Sequence, residues 1–217
     1  MKLRLVDLIG LLCVLSLGVL AAWLYPDLPD RVPIHWGGGG TADGFAAKPV
    51  GTALNVSLPL IAYLALRFFP LISPSGFRMT RSRRVVDILN VTLVLVLTGI
   101  GATALLTAAG NFVQMRDIAP FAIGVIFVVL GNYMGKLEPN WIIGIRTPWT
   151  LASEEVWYGT HRVCRWVFLL SGLVLMAAPL LPVPPVATLL AVVFAVVIVS
   201  VGYSFALYVK LNGLSGR

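Results

Sequence analysis

Six long apolar runs, separated by polar segments of unequal length, set the pattern of this chain: roughly Leu5 to Tyr25, Leu54 to Ile72, Val85 to Ala109, Ile118 to Met134, Val163 to Leu181 and Val186 to Val209. At about 1.5 Å of rise per residue, such runs reach roughly 26 to 38 Å as helices, which brackets a hydrocarbon core of about 30 Å. The fourth run is the shortest. The pattern predicts an all-α integral membrane protein with six transmembrane helices. The connections Gly110 to Asp117 and Pro182 to Pro185 are brief, so spans three and four, and spans five and six, are expected to be antiparallel neighbours. The basic segment Ser73 to Arg84 reads as an anchor to anionic lipid. Two connections are long enough to carry chemistry: Pro26 to Gly51, and Gly131 to Arg162 where the fourth run ends.

Composition agrees with lipid as the solvent. The 217 residues are 59% hydrophobic and 12% charged, with a mean hydropathy of +0.93. Charge placement predicts the orientation, since Lys and Arg collect on the cytoplasmic side. With the N-terminus inside, Lys2, Arg4, Arg67, Arg78, Arg81, Arg83, Arg84, Lys136, Arg146, Arg162, Arg165, Lys210 and Arg217 fall inside, and of the 16 Lys and Arg only Arg31, Lys48 and Arg116 fall outside. Both termini are therefore expected on the cytoplasmic side of the cell membrane. The net charge of +7 follows from this asymmetry, and no direct nucleic-acid partner is needed to explain it. Leu5 to Leu20 is longer than a signal-peptide core and is read as a span. Cys13 and Cys164 lie in or beside spans and do not predict a disulfide.

The inner connection, GNYMGKLEPNWIIGIRTPWTLASEEVWYGTHR, is more specified than a linker requires. Thr150 is placed to cap a helix whose first turn holds Glu154 and Glu155, favourable at the positive end of the helix dipole. Continued into the fifth span, that helix sets Glu154, Trp157, His161 and Arg165 on one stripe. Gly131 and Gly135 admit a neighbouring helix at close range. Trp141, Trp149, Trp157 and Trp166 suit an aromatic belt, with Arg162 and Arg165 meeting headgroups. His161 beside Glu154 is a competing general base, but no Ser or Cys nucleophile is paired with it. A belt leaves Asn132, Asn140 and the run from Gly144 to Trp149 unexplained. Arg146, Thr147 and the Asn amides either bind polar groups or lock the backbone there.

In the outer connection, Pro26, Pro29 and Pro33 favour extended backbone, while Gly37 to Gly40 and Asp43-Gly44 allow turns. The expectation is a small hairpin or cap, with a mobile glycine stretch as the alternative. His35, Trp36, Asp43 and Lys48 are its candidate binding residues. The 2 histidines fall on opposite faces, so neither a shared metal site nor a zinc ligand set is expected. Arg67 reads as snorkelling and Asp87 as pairing with Arg83 and Arg84. Asn55, Ser57, Pro59, Asn90, Thr92, Thr98 and Thr103 either line a path or join helix to helix.

These two connections resemble those of the SdpI family of polytopic bacterial membrane proteins. The inner resemblance rests on Asn132, Pro139, Asn140, Gly144, Arg146, Thr147, Pro148, Trp149, Trp157, Thr160, His161 and Arg162. The outer one, PDLPDRVPIHWGGGGTADGFAAKP, rests on Pro33, His35, Gly40, Asp43, Gly44 and Lys48, and departs from the family pattern at Gly37 to Gly39. The resemblance implies immunity to a secreted, membrane-active peptide toxin, and signalling by holding a cytoplasmic repressor at the membrane. It implies no enzyme, cofactor, metal or catalytic residue. It also suggests a two-helix unit over residues 1–72 and a four-helix unit over 73–217. A small transporter or lipid-handling protein, and an interfacial enzyme using Glu154 and His161 on a lipid-linked substrate, are the alternatives.

Overall fold

The computed structural model describes residues 4–68, 83–111, 114–140 and 143–213. Six of its helices are long and apolar enough to cross a membrane, and the chain is a multi-pass membrane protein. They are α1 (Leu5–Leu24), α2 (Lys48–Phe68), α3 (Arg83–Ala108), α4 (Met115–Met134), α6 (Glu154–Ala177) and α7 (Pro185–Asn212); a short α5 (Pro148–Ala152) lies between α4 and α6. Most of the basic connection ending at Arg84, and Trp141, lie outside the described residues.

Two helices begin well before the apolar runs predicted. α2 starts at Lys48, directly from a strand, and α6 starts at Glu154. The cap of α6 is Ser153, whose hydroxyl accepts from the Val156 N–H; Thr150 instead sits at the third position of α5. The predicted Thr150 cap is thus corrected. The short α5 and the long α6 meet at an extended Ser153, a break that apolar periodicity does not register because the first turns of α6 are polar.

The outer connection folds as an antiparallel hairpin of β1 (Arg31–Trp36) and β2 (Ala42–Ala47), with Val32 opposite Ala46 and His35 opposite Gly44. A turn closes it, with the Gly40 N–H on Gly37 O at 2.8 Å and Gly40 at φ +78°. The tip leans on two other helices: a Cβ at Gly40 would fall 2.3 Å from Arg116 Cβ, and one at Gly38 would fall 3.1 Å from Val186. The glycines therefore serve close approach as well as turning.

Successive spans alternate in direction, so the hairpin and the α4–α6 connection lie at opposite ends of the bundle. Near the hairpin, Leu17, Leu24, Leu28, Val32 and Leu105 form one core shared by α1, α3 and β1. At the other end Val85 and Leu89 of α3 pack with Leu137 and Trp157. Between them α4 and α6 run in backbone contact: a Cβ at Gly124 would lie 2.7 Å from Gly172 O, and one at Gly131 2.6 Å from Arg165 O. Gly135, expected to share this role, has nothing nearer than Arg165 Cδ at 3.7 Å. The close-packing pair with Gly131 is Gly124.

Candidate functional site

The α4–α6 connection is built around two stacked rings. Trp157 and His161, one helical turn apart on α6, lie 4.1 Å between centroids at 22°. Both are buried, whereas Glu154 and Arg165 on the expected stripe are exposed. Every polar atom of the two rings is committed. Trp157 Nε1 donates to Leu137 O at 2.8 Å; the Ile145 N–H donates to His161 Nε2 at 3.1 Å; His161 Nδ1 stands 2.7 Å from Trp157 O. A ring that accepts at Nε2 must carry its proton on Nδ1, so His161 is neutral here and donates to Trp157 O. It holds no free lone pair for a general base. The chain reaches this stack because Gly144, at φ +117°, presses its backbone onto it; a Cβ there would meet His161 Nε2 at 2.5 Å.

The flanking residues complete a lock. Asn140 folds its own loop, donating to Glu138 O and Ile143 O while its Oδ1 accepts from the Ile143 N–H at 2.7 Å. Thr147 caps α5, and Thr150 donates to Ile145 O at 2.8 Å while accepting from the Thr147 N–H. Trp149 Nε1 donates to Ser204 Oγ at 2.6 Å and its ring sits edge-on to Phe205, which ties α5 to α7. The belt reading therefore fails for Trp157, which is buried, and for Trp149, whose ring nitrogen is taken up inside the protein; Trp166 is exposed and fits it. Among the predicted residues, Asn140, Thr147, Trp149, Trp157 and His161 come together as one folded module. Asn132, Arg146, Glu154 and Arg162 are exposed around it.

At the hairpin end His35 Nδ1 and Asp43 Oδ1 pair across the strands at 2.5 Å, with both side chains more than half exposed. Trp36 lines a crevice of about 160 Å³ with Arg116, Pro120 and Val186. Lys48 is elsewhere: its Nζ lies 4.8 Å over the Tyr25 ring and 3.4 Å from Pro26 O.

A third cluster escaped sequence reading. Asp7 of α1 accepts from Tyr63 OH at 2.7 Å and Arg67 Nε at 3.0 Å, both on α2, and Arg4 reaches Asp87 of α3 at 2.8 Å. Arg67 is buried, not snorkelling, and Asp87 pairs with Arg4 in place of the neighbouring Arg83 and Arg84. An acidic residue this close to the start of an apolar span is costly without a cationic partner, and that was the available signal.

Residues 136–204 match the SdpI/YfhL protein family, and residues 11–62 match a domain of unknown function, DUF1648. The chain is also 27% identical over 191 residues, 88% of its length and 89% of the relative's, to the immunity protein SdpI of Bacillus subtilis (strain 168). The chain is thus similar to the SdpI/YfhL family, directly so over the α4–α6 connection, α6 and most of α7. The SdpI-matching segment contains the whole ring stack, its glycine and the Trp149–Ser204 tether to α7. The DUF1648 match carries most of α1, the hairpin and most of α2. No solved structure matches the chain.

Proposed function

We propose that this protein is an immunity protein of the cytoplasmic membrane, protecting the cell that makes it against a membrane-active peptide arriving from the hairpin side. The observation that carries this reading is the similarity to a protein named for immunity along 88% of the chain, which extends through both elaborate connections. Orientation follows from the basic residues: the α4–α6 module faces the cytoplasm and the hairpin faces out. On the outer face His35, Trp36 and Asp43 are the residues offered to the peptide. On the inner face the exposed Asn132, Arg146, Glu154 and Arg162 surround a rigid module and form the surface for a cytoplasmic repressor. We keep residues 1–72 and 73–217 as the two units of this division of labour.

The test is expression in a strain sensitive to a secreted, membrane-active peptide toxin of the kind the resemblance implies. The protein should raise survival, and a well-inserted protein that gives none would overturn the reading. Replacing Glu154 and Arg162 together by Ala should leave survival intact while releasing any repressor from the membrane fraction.

A further inference from the structure

α1 and α2 are tied tightly at one end and part toward the other. At the tied end Gly10 admits the Tyr63 ring, 2.9 Å from where a Cβ would be, and Asp7 binds Tyr63 and Arg67. Toward the hairpin the facing residues become small, and a groove of about 360 Å³ opens between Gly18, Ala22 and Tyr25 on one wall and Pro49, Ala53 and Val56 on the other. α3 closes the opposite side of the pair, where Gly101 meets Leu17 and Asn55 O, so the groove faces the bilayer. Of the two hydroxyl-bearing residues in its lining, Thr52 commits Oγ1 to Lys48 O at 2.7 Å, and Tyr25 stands at the hairpin end, beside the mouth. From Gly18 to Tyr25 the groove runs about 10 Å along α1. Trp23, 72% exposed, marks the same depth as interfacial.

A cation stands over the mouth. Lys48 Nζ is held above the Tyr25 ring and by Pro26 O, and among the described residues no carboxylate lies within 4.0 Å of it. Asp30 touches Lys48 only through its backbone carbonyl, which accepts the Lys48 N–H at 2.8 Å. An ammonium has three donors, so two remain for an incoming anion.

We propose that this groove is a binding site for one anionic phospholipid of the hairpin-side leaflet, with an acyl chain between α1 and α2 and the phosphate on Lys48. Hydrocarbon suits a wall that between Gly18 and Ala22, and between Thr52 and Val56, carries a single hydroxyl, already bonded to backbone, with the Tyr25 phenol left for the headgroup end. A peptide helix, about 10 Å across, is too wide for the gap, and an extended peptide would bring backbone groups that the wall cannot satisfy. Lys48 supplies the charge selection, since a basic residue at the surface of an anionic leaflet is worth about 1 kcal/mol, or about fivefold in occupancy.

The purified full chain, in nanodiscs of phosphatidylcholine with one fifth phosphatidylglycerol, is photolabelled with acyl-diazirine probes of either headgroup, and the labelled peptides are mapped. The glycerol probe should label the α1–α2 groove about fivefold more than the choline probe. Lys48→Gln should erase that preference, and Gly18→Leu, at a position whose Cβ meets nothing within 4 Å, should remove labelling by both. Ala53→Phe blocks the groove from the other wall and gives the same readout if Gly18→Leu lowers the melting temperature. Equal labelling by both headgroups in the parent, labelling indifferent to both groove-filling variants, or a peptide co-purifying in the groove would each overturn the proposal. Labelling is read on purified protein and immunity in cells, so either can fail alone.

Discussion

At the residue scale, the fate of His161 decides how the inner module should be understood. Its neighbours use one ring nitrogen as donor and the other as acceptor, so the imidazole works as a bridge between the loop at Ile145 and the helix at Trp157. His161→Phe keeps the stack but strands the Ile145 N–H and Trp157 O in a dry interior. The expected loss is about 1–3 kcal/mol, seen as a lower melting temperature in detergent. His161→Gln, able to donate and accept, should recover part of it. If stability survived in His161→Phe while protection in cells was lost, the bridging role would be wrong. Sequence reading found Trp157 and His161 because their spacing puts them on one helical face. It gave them the wrong neighbour in Glu154, because period alone does not say which end of a stripe is covered. Asn140, Thr147 and Thr150 bond mainly to backbone a few residues away, and such local bonds leave no long-range pattern to read.

At the element scale, the α4–α6 pair stands on glycines that let backbone meet backbone. Gly131→Ala should force the helices apart, because the added methyl would sit 2.6 Å from Arg165 O and Leu169 N; a cost of about 1–3 kcal/mol is expected, measured as thermal stability in detergent. Gly135→Ala, with only a side-chain tip at 3.7 Å, should fall within about 0.5 kcal/mol of the parent. Equal losses at the two sites would contradict this packing. The six spans were legible from apolar length alone, and their order followed from the short connections. Their ends were less legible where polar residues continue a helix past the hydrocarbon, as at Lys48 for α2 and Glu154 for α6. The hairpin was visible in its turn residues, yet nothing in the run of glycines announced that Gly38 and Gly40 press on α7 and α4.

At the scale of the whole molecule, the proposed orientation rests on exposed Lys and Arg, while a largely covered charge set at the end opposite the hairpin fastens α1 to α2 and α3. Arg67→Met removes the nearer of the two cations beside Asp7, whose side chain is only 12% exposed, leaving Arg4 Nε at 3.6 Å, and should cost about 3 kcal/mol. Asp7→Leu with Arg67→Met should lose much less, and a double variant as unstable as the single one would refute the pairing. Orientation can be read with single cysteines in a background lacking Cys13 and Cys164. Asp43→Cys should react with an impermeant maleimide on intact cells, Glu155→Cys only after permeabilisation. These pairs were beyond sequence reading because Arg4 and Asp87 are far apart along the chain and either charge, taken alone, looks interfacial. The lean of the hairpin on α7 has a consequence for biogenesis. Gly38 leaves the ribosome roughly 150 residues before Val186, which at about 5–20 residues per second is a wait of roughly 7 to 30 s. Throughout that interval the tip, outside the cell in the proposed orientation, lacks its final support, so a nascent chain stalled before α7 should show a protease-sensitive hairpin that becomes resistant when synthesis finishes.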